Sequence, residues 1–257
     1  MDYEFTESKI DQDVEVVRVG IQPPIDAKAD RIHLQEFYNR VSEKQPHLFG
    51  TLTQAPNVFE IKKQLSVSGG GRVEIATFFW TPQGPTLSFP RKLPFMDDEL
   101  PWAQDLTKEI LDCLDTLQAC HPARRVFRAT KRREIVLSTG TIDSGEVIRA
   151  RFATGLPENT QNVAVRWTDT DDMYDRKISL AALQKRNVVV QNVGGIEFQR
   201  QEPTEEFGIR MTLEVTNART AKALEREDLK IILDHADTYY NETVWRILKG
   251  ASNVDTK

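Results

Sequence analysis

The chain has 257 residues, enough for one large domain or two small ones, and a chain of that size buries roughly 70–75% of its unfolded surface without disulfide or metal staples. Its 39% hydrophobic and 28% charged residues exclude a disordered or fibrous chain. A net charge of −5 and a pI near 5.5 argue against a dedicated nucleic-acid binder, whose electrostatic footprint is a basic domain.

The N-terminus reads Met1-Asp2-Tyr3-Glu4-Phe5-Thr6-Glu7, acidic and without the apolar run of a signal peptide. No apolar run exceeds five residues, far short of the ~20 that a membrane span needs. The expectation is a soluble cytoplasmic protein with no membrane partner.

Residues 14–21 are β-branched and partly alternating, which predicts a strand that Pro23-Pro24 stops. From Asp30, Leu34, Phe37, Tyr38 and Val41 form the i, i+3, i+4, i+7 stripe of an amphipathic helix, closed by Pro46 and Gly50. Residues 57–67 and 72–80 read as a hairpin across Ser68-Gly69-Gly70-Gly71. Pro82, Gly84 and Pro85 turn the chain before a strand at 86–89. Pro101 then opens a helix striped by Trp102, Leu106, Ile110, Leu114 and Leu117, and His121-Pro122 ends it.

The second half reads as strands at 125–137, 146–153, 161–168, 187–193 and 207–215, with a helical turn near 178–185. A long helix over about 225–249 closes the chain, with Gly250 as C-cap. Strands grouped before helices favour α+β over a doubly wound fold. The prediction is a largely antiparallel sheet with amphipathic helices on one face. Two similar halves fit this order, 1–122 and 123–257, with duplicated segments of about 10–122 and 123–250.

Specific geometric requirements fail at each candidate for common chemistry. Gly69-Gly70-Gly71 lacks the lysine and following helix of a phosphate loop, and Gly194-Gly195 lacks the third glycine of a dinucleotide fingerprint. Cys113 and Cys120 lie seven apart on one helix, about 10 Å along its axis, too far for a disulfide. Neither belongs to a zinc set, so both are expected as reduced, buried thiols. The 169–175 loop begins like a calcium loop, but Met173 takes a ligand position and Tyr174 replaces the glycine. No histidine pair has metalloprotease spacing, and no serine sits in a nucleophile elbow. The sequence therefore assigns no catalytic residue, no cofactor and no metal.

The unusual feature is electrostatic. Asp97, Asp98, Glu99, Asp105, Glu109, Asp112 and Asp115 stand against the single Lys108, and Arg124, Arg125, Arg128, Lys131, Arg132 and Arg133 follow. One expectation is that acidic helix and basic strand neutralise each other, within the fold or across an oligomer. The other is that the six cations contact an anion or an acidic partner, because arginine forks suit bidentate recognition.

The opening strand with Pro23-Pro24, the helix bearing Leu34-Gln35-Glu36-Phe37 and the following Pro46 resemble the start of a sporadically distributed, functionally unassigned family of bacterial proteins of about this length. The 207–215 strand and the terminal helix are similar to that family's closing segment. The resemblance covers the two ends of the chain. It implies a stand-alone bacterial protein and carries no active site with it.

Three functions follow in order. The first is a non-enzymatic binding or regulatory protein that meets a protein partner, or a second copy, through a sheet surface or helix face. The second is an anion or nucleic-acid binder using the 124–133 cluster. The third is an enzyme whose site the fold assembles from dispersed residues, such as the 169–175 loop with His235.

Overall fold

The computed structural model describes residues 3–26, 30–55, 58–66, 72–81, 84–93, 99–153, 163–193, 196–218 and 222–249, with backbone alone over 185–203 and at 81. Residues 68–71, Gly194-Gly195, Pro82, Asp97, Asp98 and Gly250 lie outside the described residues.

The first half of the chain runs β1 (Ile10–Gln22), α1 (Arg31–Lys44), β2 (Thr51–Ala55), β3 (Val58–Ser66), β4 (Arg72–Thr81), β5 (Gly84–Lys92) and α2 (Leu106–Cys120). The second runs β6 (Arg125–Gly140), α3 (Ser144–Phe152), β7 (Ala164–Thr170), β8 (Tyr174–Val193), β9 (Ile196–Asn217), α4 (Arg226–Tyr239) and α5 (Trp245–Lys249). All nine strands form one antiparallel sheet in the order β2-β3-β4-β5-β1-β6-β9-β8-β7. The fold is α+β.

The strand order reads outward in the same way from the central β1–β6 pair. One side gives β5, β4, β3 and the other gives β9, β8, β7, with β2 as an extra edge strand. Each half thus repeats strand, helix, meander and helix. The sheet is continuous across residue 122, because β1 pairs with β6 from Ile10↔Leu137 to Gln22↔Arg125.

Strand alternation turns one face of the sheet toward the helices. From β1 this face receives Val17 and Val19 together with Asp13 and Glu15, all buried. Phe37 of α1 packs on Phe78 of β4, and Phe78 on Phe59 of β3. Under α3 and α4 lie Ile135, Leu137, Ile178, Leu180, Ile209 and Met211. The opposite face carries polar rungs: Arg132 and Arg210 both meet Glu134, at 2.5 and 3.5 Å. A helix-free face with such rungs is the solvated side of an antiparallel sheet.

Four elements differ from the sequence expectation, the first being β2 at Thr51–Ala55, where no strand was expected. Residues 146–152 of the expected strand 146–153 lie in α3, and Ala153 is its C-cap. The Asp143 carboxylate accepts from the Gly145 and Glu146 N–H groups and caps this helix, and that cap outweighs the β-branched Val147-Ile148 pair. Residues 178–185, expected as a helical turn, belong to β8, which pairs with β9 as far as Gln184, where the register shifts before Arg186, and with β7 as far as Ala181. Pairing with β9, and with β7 up to Ala181, overrides the helix propensity of Ala181-Ala182-Leu183. Finally, α2 begins at Leu106 and not at Pro101, and Trp102 in the preceding turn donates its indole N–H to the Pro90 carbonyl at 2.8 Å. The terminal helix covers the expected span with a π-turn at Tyr240–Val244 between α4 and α5, and Tyr240, Val244, Trp245 and Leu248 all face the core.

Candidate functional site

The residues that interrupt the core are charged, and they meet where the two halves join. Asp13 and Glu15 project from β1, and Lys131 and Arg133 from the neighbouring β6, all toward the helices. Arg133 grips Asp13 with two bonds, Nε to Oδ1 at 3.0 Å and Nη2 to Oδ2 at 2.6 Å. The face of its guanidinium lies 3.8 Å from the centre of the Tyr240 ring, a cation–π contact. Lys131, with 2% of its side chain exposed, sits between Glu15 Oε2 at 3.0 Å and Asp237 Oδ1 at 2.6 Å. Arg91 of β5 completes the set, donating from Nη1 to Glu15 Oε1 at 2.5 Å.

Three cations and three carboxylates therefore close a neutral network, the condition under which charges can be buried at all. Burial alone would push the Glu15 carboxyl up, but Lys131, Arg91 and Arg133 outweigh it and hold this carboxyl below its ordinary value. Asp237 goes the other way: burial and the nearby Glu15 raise its carboxyl despite the Lys131 contact. Burial acts against the Arg133 cation too, and the Asp13 carboxylate more than restores it.

Above this network lies a cavity of about 410 Å³. Its floor includes Asp13 and Arg133. Arg91 and Lys92 line it from the β5 end, Asp237 and Asn241 from α4 and the π-turn, and Glu7 from the turn before β1. Its size lies within the range of small-molecule sites, and its lining is mostly polar and charged, with Ile10, Ala103 and Leu106 as the apolar exceptions.

The six cations singled out from the sequence do not gather on one surface. Strand alternation sends Lys131 and Arg133 under the helices, and Arg132 to the open face beside Glu134. Arg124 lies before the strand, on Asp30 at 2.7 Å and His121 Nδ1 at 3.0 Å. Arg125 is exposed and donates to the Pro122 carbonyl, and Arg128 is exposed on the strand. The acidic face of α2 does not meet these residues. Asp112 and Asp115 both hold Arg226 of α4, and Glu109 accepts from Gln45 at 2.5 Å.

The fold also brings the 169–175 loop to His235. Asp171 closes the β7–β8 turn by accepting from the Met173 and Tyr174 N–H groups, at 2.7 and 2.8 Å. Arg176 then binds Asp169, Asp171 and, through Nε at 3.1 Å, the His235 Nε2. Tyr174 stacks on the imidazole at 4.0 Å. Here Arg176 holds Asp169, Asp171 and His235 together, and none of these residues lines either described cavity. Cys113 and Cys120 are both buried free thiols, and burial pushes each above its ordinary value, the state of inert cysteines.

The second feature is a ribbon. β8 and β9 remain paired from Arg186↔Pro203 to Val193↔Ile196, eight rungs beyond the sheet. β7 reaches β8 only as far as Ala181, and β6 reaches β9 only as far as Phe207. At about 3.3 Å per residue the ribbon extends roughly 25 Å past its last neighbour. Both of its outer backbone edges lack strand partners among the described residues.

Comparison with protein-family models, with curated proteins and with solved structures finds no match to this chain. Asp13, Glu15 and Asp237 escape sequence reasoning because each lies at least 76 residues from a partner in the network. The one available signal was the row of carboxylates Asp11, Asp13 and Glu15 in the alternation that continues as Val17 and Val19.

Proposed function

We propose that the chain is a non-enzymatic binding protein that engages a protein partner through the β8–β9 ribbon. The single observation that carries this reading is the ribbon's isolation. A two-stranded hairpin is marginal in water on its own, and its unpaired edges are templates for another chain. The sequence of the arm, with Val188, Val189, Val190, Val193, Ile196 and Phe198, is rich in β-formers suited to strand addition. Buried, reduced thiols fit a cytoplasmic location, and the resemblance of the two ends of the chain supports a bacterial source.

The test replaces residues 187–202 by a two-residue Asn-Gly turn. Light scattering and pull-down from the native host are then compared for both forms. The parent is expected to assemble, with itself or with a host protein, and the shortened form to be a folded monomer that recovers nothing. A parent that is strictly monomeric and partnerless, or a shortened form that assembles as the parent does, overturns the proposal.

A further inference from the structure

The cavity over the β1–β6 seam has a floor that cannot take a ligand ion. Arg133 has two N–H groups on Asp13 and its face on Tyr240, and Glu15 and Lys131 are closed on each other beneath it. What the cavity offers is on its walls: Arg91 and Lys92, with Glu99 beside Arg91, on the β5 side, and the acids Asp237 and Glu7 on the other.

At the β5 end stand the Lys92 ammonium and the Nε of Arg91. This Nε is buried without a hydrogen bond, 3.9 Å from Asp13 and 4.0 Å from Glu99. At the opposite end stand Glu7 and Asp237, whose Oδ1 holds Lys131 while Oδ2 has no hydrogen bond among the described residues. Neither Lys92 nor the Glu7 side chain has a hydrogen bond or ion pair among the described residues. Asn241 adds an amide beside Asp237.

A dication would meet Arg91 and Lys92, and a dianion would meet Asp237, Glu7 and Glu99. Only a molecule with one charge of each sign finds an opposite partner at both ends, in a volume of about 410 Å³ that accommodates a single amino acid. We propose that this cavity binds a small zwitterion of the free amino-acid class. Its carboxylate lies against Lys92 and Arg91, and its ammonium lies against Asp237 and Glu7. This site is separate from the ribbon, so the two proposals stand or fall independently.

Isothermal titration calorimetry of the full chain against each of the common free amino acids tests it, with 1,4-diaminobutane and glutarate as charge controls. At least one amino acid is expected to bind saturably at one site per chain. Lys92→Ala and Glu7→Gln, both outside the buried network, should each weaken that amino acid roughly tenfold, the value of one charge-assisted contact. The corresponding amino-acid amide, which lacks the carboxylate, should bind poorly and be indifferent to Lys92→Ala. Failure of every amino acid to bind, or binding that survives both substitutions in variants with native circular dichroism, overturns the proposal. Saturable binding of the diamine or of glutarate alone overturns it equally.

Discussion

Lys131→Met is the most informative single change, because it removes one cation from a neutral buried set and leaves the shape nearly intact. Lys131 touches two carboxylates, Glu15 at 3.0 Å and Asp237 at 2.6 Å. Glu15 keeps Arg91 at 2.5 Å, so the orphaned charge is Asp237. Breaking a buried pair in this way costs about 3–5 kcal/mol, a large part of the roughly 5–15 kcal/mol that holds a typical domain. At roughly 2–4 °C per kcal/mol for a chain of this size, thermal unfolding followed by circular dichroism near neutral pH should show Tm lower by about 10 °C. The deficit should shrink as the solution is made mildly acidic. The folded-state pKa of Asp237 is already raised above its ordinary value, so its contribution is lost as pH rises through that folded value. Without Lys131 the folded value rises further, and the loss at neutral pH deepens. Adding Asp237→Asn removes the orphan and should recover about half of the deficit. A Lys131→Met protein that melts within about 2 °C of the parent, with a parallel pH profile, would refute the reasoning.

Arg133→Met removes both bonds to Asp13 and the Tyr240 contact, and urea unfolding should register a loss of about 3–5 kcal/mol. His121 is held neutral, its pKa lowered to about 4 by burial and by the Arg124 cation. A lowered folded value gives stability that is present above the unfolded value near 6.5 and is lost as pH falls toward about 4. His121→Gln should therefore flatten the urea midpoint across that window. Gly84 has φ of +121°, and a Cβ added there would lie 2.3 Å from the Val19 carbonyl oxygen. Gly84→Ala should cost about 2–3 kcal/mol and lower Tm correspondingly. Phe78→Ala, at the contact of β4 with Phe37 and Phe59, should cost about 3–5 kcal/mol in the same urea assay.

Where local pattern and tertiary setting agree, the sequence was readable. The stripes of α1 and α2, the β3–β4 hairpin and β1 all follow from periodicity, because each buries one face against a single neighbouring layer. The α+β class followed from the grouping of strands before helices. The misread segments are those where another force decides. At 146–153 an Asp143 cap prevails over β-branched propensity, and at 178–185 pairing with β9, joined by β7 up to Ala181, prevails over an alanine-rich helix signal. The site was legible only in part. Six cations were visible at 124–133, but Arg124 lies before β6, alternation divides the others between the two faces of β6, and the partners of Lys131 and Arg133 on β1 and α4 are remote in sequence. A residue such as Asp237, on the polar flank of an amphipathic helix, gives no local sign that it closes an ion network in the middle of a sheet.

The placement of β1 also governs the order in which the fold can be completed. This strand is made first, yet it lies at the centre of the sheet, between β5 and β6. During synthesis its hydrogen bonds must wait until residue 92 supplies one neighbour and residue 140 the other, and Asp13 and Glu15 meet no cation from β6 before then. Arg91 of β5 reaches Glu15 once residue 92 is made, but until β6 follows, the nascent chain exposes a β-branched strand whose Asp13 lacks its two-bond partner Arg133. The two carboxylates oppose premature burial of the strand and keep it available for the partners that neutralise them.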